Sequence, residues 1–267
     1  MATVPVSVRR SAGLPASTLG IARRGLLKFV RTPQLVVVGT IQSALFLLIF
    51  RYVFGGAIAA GGLDYVDFLV PGFITTGLLF AGMGAAAGVA EDLEQGFVDR
   101  LRSLPIPRSA VLAGRAVADT ALLVWSLAFT SAVGFAVGFR LHGGLAGALA
   151  AFGLLLVFGF AFEWMFITLG LVAGTPQAAQ GLALMVFPLT FVSSAYVPVE
   201  SMPGWMQAVA DHQPITVMVD AVRVLTQGGA YAMLGHGPGW FVVRALAWSA
   251  AILAVFVPLA VARYRRG

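Results

Sequence analysis

Apolar residues fall in long unbroken runs, separated by short polar stretches. A helix needs about 20 apolar residues to cross a hydrocarbon core. Six runs qualify: residues 34–54, 68–90, 110–139, 144–173, 178–197 and 240–262. The third and fourth are long enough for tilt or for protrusion beyond the lipid. The pattern predicts an all-α polytopic membrane protein with six transmembrane helices.

One charged island breaks this pattern, EDLEQGFVDRLRSLPIPR at residues 91–108, holding seven of the chain's 28 formal charges (17 basic, 11 acidic). Glu91, Asp92 and Glu94 come first, and Arg100 and Arg102 last. That order complements the dipole of a separate helix over 91–104. Leu93, Phe97, Leu101 and Leu104 recur as one apolar stripe, and Pro105 and Pro107 stop the helix. Lying between membrane spans, the island faces water and reads as a docking handle for another protein. Phe97, Leu101 and Leu104 supply area, while Glu94, Asp99, Arg100 and Arg102 set register by charge pairing.

Two further segments are amphipathic. Residues 17–31 carry Leu19, Ala22, Leu26 and Phe29 on an apolar face, with Arg24, Lys28 and Arg31 at i, i+4 and i+7. This spacing predicts a helix lying in the inner interface of the bilayer; a basic flank that only fixes topology accounts for the same residues. Residues 1–16, with Pro5 and Pro15, read as a disordered cytoplasmic tail, and no signal peptide is visible. Between 198 and 239, Met202-Pro-Gly-Trp205 makes a turn with an aromatic anchor. After Pro214, residues 215–227 read as a helix with Met218, Ala221, Val222 and Leu225 on one side, ended by Gly228 and Gly229. Asp220 and Arg223 are placed to pair on its exposed face. One or two short helices dipping into the outer leaflet fit this stretch, as does a plain surface loop.

Composition supports the membrane reading. The 267 residues are 59% hydrophobic and 10% charged, with a mean hydropathy of +0.92, against about 25% charged in soluble domains. The net charge of +6 does not point to nucleic acid, because the basic residues follow the membrane. With the amino terminus inside, Arg9, Arg10, Arg23, Arg24, Lys28, Arg31, Arg100, Arg102, Arg108, Arg115, Arg263, Arg265 and Arg266 are internal. Arg51, Arg140, Arg223 and Arg244 are external. This bias places both termini and the island in the cytoplasm.

The chemistry is mostly exclusion. No cysteine is present, so disulfides and thiolate chemistry are ruled out. Lys28 is the only lysine and lies outside any G-x-x-x-x-G-K-[ST] pattern, so the chain does not hydrolyse nucleotide itself. His142, His212 and His236 lack zinc-site spacing, and no metal is expected. Glu91, Asp92, Glu94 and Asp99 also fit a Mg²⁺ cluster of a membrane transferase, but interleaved arginines favour a solvated docking face. Glu163, followed by Trp164, sits within the fourth span, where a carboxylate is costly. It either bonds a neighbouring helix as a neutral acid or lines a path for a cation or proton. Gly84 and Gly88 offer a small-residue contact face. Pro188 should kink the fifth span, with Thr190, Ser193 and Ser194 bonding freed backbone groups. Phe187 and Phe191 either pack or wall an apolar path.

Several segments occur together in a telling order: Phe54-Gly-Gly56, Tyr65-Val-Asp-Phe-Leu-Val-Pro-Gly72, residues 92–106, residues 187–198, Met202-Pro-Gly-Trp205, Gln213-Pro214 and Ala221-Val-Arg223. On these the chain resembles, from about residue 23 to 229, the membrane permease subunit of type-2 ABC transporters, most closely the daunorubicin-resistance exporters. The resemblance implies six spans, an amphipathic N-terminal interfacial helix, a cytoplasmic coupling helix and extracytoplasmic re-entrant helices before the last span. The coupling residues would be Glu91, Asp92, Glu94, Gly96, Phe97, Asp99, Arg100, Leu101, Arg102, Leu104 and Pro105. It also implies a second permease, identical or paralogous, and a separate ABC ATPase subunit carrying ATP and Mg²⁺, with no cofactor and no catalysis in this chain.

The expected activity is export of an amphipathic drug-like compound or lipid across the bacterial plasma membrane. Glu163, Trp164, Phe187, Phe191 and Ser194 would line the substrate path, and Pro198, Pro203, Trp205, Pro214, Asp220 and Arg223 the outer gate. Arg51 and Glu163 depart from the family's uncharged pattern. Two alternatives stay open: a proton-coupled secondary transporter using Glu163, for which no internal repeat is seen, and an integral-membrane transferase.

Overall fold

The computed structural model describes residues 14–31, 41, 44–58, 63–96, 108–228 and 236–266, and every regular element among them is helical. Helix α1, Leu14–Arg31, begins inside the predicted tail; residues 1–13 lie outside the described residues. It packs on α4, Arg108–Ala136, through a face that takes Ala22 from the predicted apolar stripe but is otherwise rotated from it. Gly25 sits against Ala118, and Gly114 against Ile21 and the Thr18 backbone. Ala22 is buried, while Leu19 and Leu26 point outward. Small residues thus set the helix contact, leaving the larger apolar side chains Leu19 and Leu26 on the outer face. Arg31 is exposed.

Helix α2, Ala44–Phe54, ends in a π-helical turn at Phe50–Phe54. Most of the first predicted span before it lies outside the described residues. Helix α3, Tyr65–Glu94, is the axis of the molecule and is apolar and buried nearly all round. Pro71 lies within it; Thr75 and Thr76 return their hydroxyls to the carbonyls of Pro71 (2.8 Å) and Gly72 (3.0 Å). Helix α4 runs back antiparallel to α3. A turn at 137–143, with Gly138 and Gly144 at positive φ, leads into α5, Gly144–Ala173. The last helix, α10, Pro238–Arg266, lies against α5.

Among the described residues, four segments are long and apolar enough to cross a membrane: Tyr65–Glu94, Ala113–Ala136, Gly144–Ala173 and Pro238–Arg265. The fifth predicted span is not one of them. Residues 178–197 fold instead as the end of α6, Pro176–Leu184, then α7, Phe187–Phe191, then an irregular turn. Gly174 in the left-handed region ends α5, and Thr175 caps α6 by accepting from the Ala178 amide. The break falls at Met185 and Val186, just ahead of Pro188, so the proline starts a new helix rather than kinking an old one. Thr190 and Ser193 then bond the carbonyls of Phe187 and Thr190. Two short helices precede the last span: α8, Gly204–Ala210, and α9, Pro214–Gln227.

Close contact between α3 and α5 uses glycines other than those expected. Gly82 faces Phe166, and Gly170 lies against the Ala86 carbonyl and Val89. Gly84 faces open space, and Gly88 lies under the Arg115 guanidinium rather than under a helix.

Candidate functional site

Three places gather the polar and aromatic side chains. The first is the Glu94 end of the bundle. Glu91, Asp92 and Glu94 do not open a separate helix; they form the last turn of α3. Gln95 and Gly96 close it, with amide bonds to Glu91 and Leu93 carbonyls at 3.0 Å and Gly96 at φ +64°. Carboxylates at a helix C-terminus oppose the dipole. Asp92 is compensated by Arg115 from α4, whose Nη1 donates to it at 2.5 Å while Nε donates to Asp119 at 2.9 Å. Glu94 is exposed, and Gln95 donates to Glu91 at 3.1 Å. Phe97, Asp99, Arg100, Leu101, Arg102, Leu104 and Pro105 lie outside the described residues, as do the side chains of Arg24 and Lys28.

Deeper in the same half lies Glu163 on α5, 1% exposed, with Trp164 also buried. A charged side chain at the centre of a membrane helix costs about 3 kcal/mol on insertion scales. Its Oε2 lies beside Gly82, and Asp119 and Arg115 are the charged groups that act on it.

The second place is an aromatic row on the opposite side of α3. Phe80 meets Phe187 (5.7 Å between ring centroids), Phe187 meets Phe191 (5.1 Å), and Phe191 meets Tyr196 (5.2 Å). Tyr196 continues to Phe50 and Phe73 at 5.0 and 5.1 Å, and its hydroxyl donates to Thr76. Phe187 and Phe191 are partly open, at 37% and 46%. Positions 80 and 82 point roughly 200° apart on a helix, so Glu163 and Trp164 are not part of this row. The residues expected along one path fall into three places: Glu163 and Trp164 in one, Phe187 and Phe191 in this row, and Ser194 beside Asp220 and Arg223.

The third place surrounds α9 at the Tyr65 end. Arg223 was expected on the exposed face of this helix; it is fully buried instead, at 0%. Its guanidinium donates from Nε to the Phe68 carbonyl (2.9 Å), from Nη2 to the carbonyls of Ser194 and Ala195, and from Nη1 to Asp220 (3.2 Å). It also stacks 3.7 Å from the centroid of the Phe68 ring. Asp220 accepts a second bond from Ser194 Oγ at 2.7 Å. Burial pushes the Asp220 carboxyl above its ordinary range, and Arg223 and Ser194 pull the other way.

Both ends of α9 are tied as well. Gln213 caps the Ile215 amide and donates to the carbonyls of Leu189 and Val192. The Thr226 carbonyl accepts from the His142 and Gly143 amides, and Gln227 bonds His142 (2.7 Å) and the Arg140 carbonyl. Pro214 opens the helix, whereas Pro203 and Trp205 are exposed and Pro198 is half-buried. The Gln213-Pro214 pair marked in the sequence is the start of this helix, whereas Thr216, Thr226 and Gln227 carry no pattern that sets them apart as ties.

Similarity to known proteins follows this architecture. The ABC-2 type transporter family matches residues 17–226. The daunorubicin resistance ABC transporter permease protein DrrB1 of Streptomyces coeruleorubidus is 36% identical over 251 residues, 94% of this chain and 86% of that protein. A probable doxorubicin resistance ABC transporter permease, DrrC of Mycobacterium tuberculosis, is 27% identical over 259 residues, 94% and 89% of the two chains. The matched region runs from α1 through the tied helix α9, and the chain therefore belongs to the ABC-2 type transporter family.

Proposed function

We propose that this permease is the membrane half of an exporter that moves an amphipathic drug-like compound or lipid out of the cytoplasm or inner leaflet. The observation that carries the reading is 36% identity along 94% of the chain to a daunorubicin resistance permease. The row Phe80–Phe187–Phe191–Tyr196 supports it, since tilted and edge-on rings, partly open at Phe80, Phe187 and Phe191, offer an apolar surface to an aromatic or lipidic cargo.

Energy comes from a separate ABC ATPase, bound through Phe97, Leu101 and Leu104 and the charges beside them at the cytoplasmic side. ATP binding drives the two coupling segments of a permease pair, and cargo passes the 198–239 region on the outer side. Six spans and a re-entrant α8–α9 pair belong to this same reading, as do a plasma-membrane location and cytoplasmic termini.

The test is co-expression with a candidate ABC ATPase, followed by doxorubicin efflux from proteoliposomes. ATP-dependent efflux is expected from the complex. Phe97→Asp should insert normally and lose at least tenfold of the efflux. Uphill export by this chain alone, without ATPase, refutes the reading.

A further inference from the structure

Arg51 differs from the other arginines read as external. Arg140 donates to the Phe135 and Phe139 carbonyls, Arg223 to its ring of oxygens, and Arg244 to the Asp211 carbonyl. Arg51 Nε is buried yet meets no acceptor, and no carboxylate pairs with its guanidinium among the described residues. A guanidinium offers five donors in a planar fork and does not shed its charge. On an apolar helix such as α2, that charge is costly unless an oxygen from elsewhere meets it. Its place in the last turn of α2 sets it at the negative end of the helix dipole, which favours a cation but fills none of the donors.

The surroundings give the chemistry of the missing partner. Arg51 lies in the π-helical turn Phe50–Phe54, next to Phe50, whose ring meets those of Phe54 (5.2 Å) and Tyr196 (5.0 Å). The turn therefore continues the aromatic row. Tyr52 is 72% exposed, with Val53 and Phe54 also open, and the Arg51 guanidinium lies 6.0 Å from the Tyr52 ring centroid. An unpaired cation rimmed by open apolar and aromatic side chains suits a molecule with an anionic head and an apolar body.

We propose that Arg51 is a binding site for the phosphate or carboxylate head of a membrane-soluble amphiphile. The planar fork holds two oxygens of the head, and the apolar body lies along Tyr52, Val53 and Phe54. Two sources share this chemistry, a resident phospholipid and an exported cargo; the second rests on the export reading, the first does not.

Binding of a fluorescent alkyl phosphate to the full-length chain in neutral detergent tests it. The wild type should bind at least fivefold more tightly than Arg51→Gln, with Arg51→Lys between them and Arg244→Gln like the wild type. Arg51→Gln should unfold no earlier than the wild type in that detergent, because it removes a charge the protein leaves uncompensated. In proteoliposomes with the ATPase, loss of ATP-driven export of the same alkyl phosphate in Arg51→Gln assigns the site to cargo, and unchanged export assigns it to a resident phospholipid. No export by the wild-type complex counts against the export reading and leaves the binding comparison standing. Equal binding by wild type and Arg51→Gln, an equal loss in Arg244→Gln, or earlier unfolding of Arg51→Gln overturns the proposal.

Discussion

Arg223 shows how far one side chain can decide local structure. A buried guanidinium is tolerated only when its donors are used and its charge is compensated. Here four oxygen partners on three segments do so, the nearest aromatic face adding to them. Lysine carries the charge but cannot present a planar fork to several carbonyls. Arg223→Lys should therefore lower stability by about 2–3 kcal/mol, the value of a lost hydrogen bond to a charged group. Asp220→Asn should cost at least as much, about 3–5 kcal/mol, because it removes the carboxylate paired with the buried guanidinium. Thermal unfolding in detergent measures both, and a neutral outcome for either variant counts against the anchoring role. The sequence announced that Asp220 and Arg223 could meet, since i, i+3 spacing does that. It did not announce their burial, because the covering groups, Phe68 and Ser194, are 155 and 29 residues away.

At the scale of elements, hydropathy located the continuous spans well, since a helix buried in lipid and protein must be apolar along its whole length. Hydropathy also drew 178–197 as one helix, and there it misled. An apolar composition satisfies a broken segment equally well once neighbouring hydroxyls and carbonyls take up the freed backbone groups. The charged island was misread for a related reason. Acids followed by bases look like one dipole-matched helix, yet Gly96 stops α3 between them, and Arg115, 23 residues on from Asp92, supplies the missing compensation. Helix contact was legible only in kind. Small residues do mediate it, but which glycine faces a partner depends on rotation of the helix. Gly170→Val should push on the Ala86 carbonyl and Val89 and cost about 1–3 kcal/mol, whereas Gly84→Ala should be nearly neutral. Folded yield and unfolding midpoint of the two variants check this.

For the whole molecule, the inside-positive bias makes a prediction of its own. A phosphatase fusion at the carboxyl terminus should stay inactive, and a fluorescent fusion there should light up, if both termini are cytoplasmic; the reverse pattern would turn the orientation over. A mechanical consequence follows from α3. It runs without interruption for 30 residues, about 45 Å at 1.5 Å per residue, from the Arg223 anchor to the Asp92–Arg115 pair. Its one proline, Pro71, lies near the Tyr65 end, so the stretch from there to Glu94 has no elbow in which to dissipate a push. Rocking it by about 5° at one extremity shifts the other by about 4 Å over that length, close to the diameter of a phenyl ring's worth of clearance beside the row of aromatics.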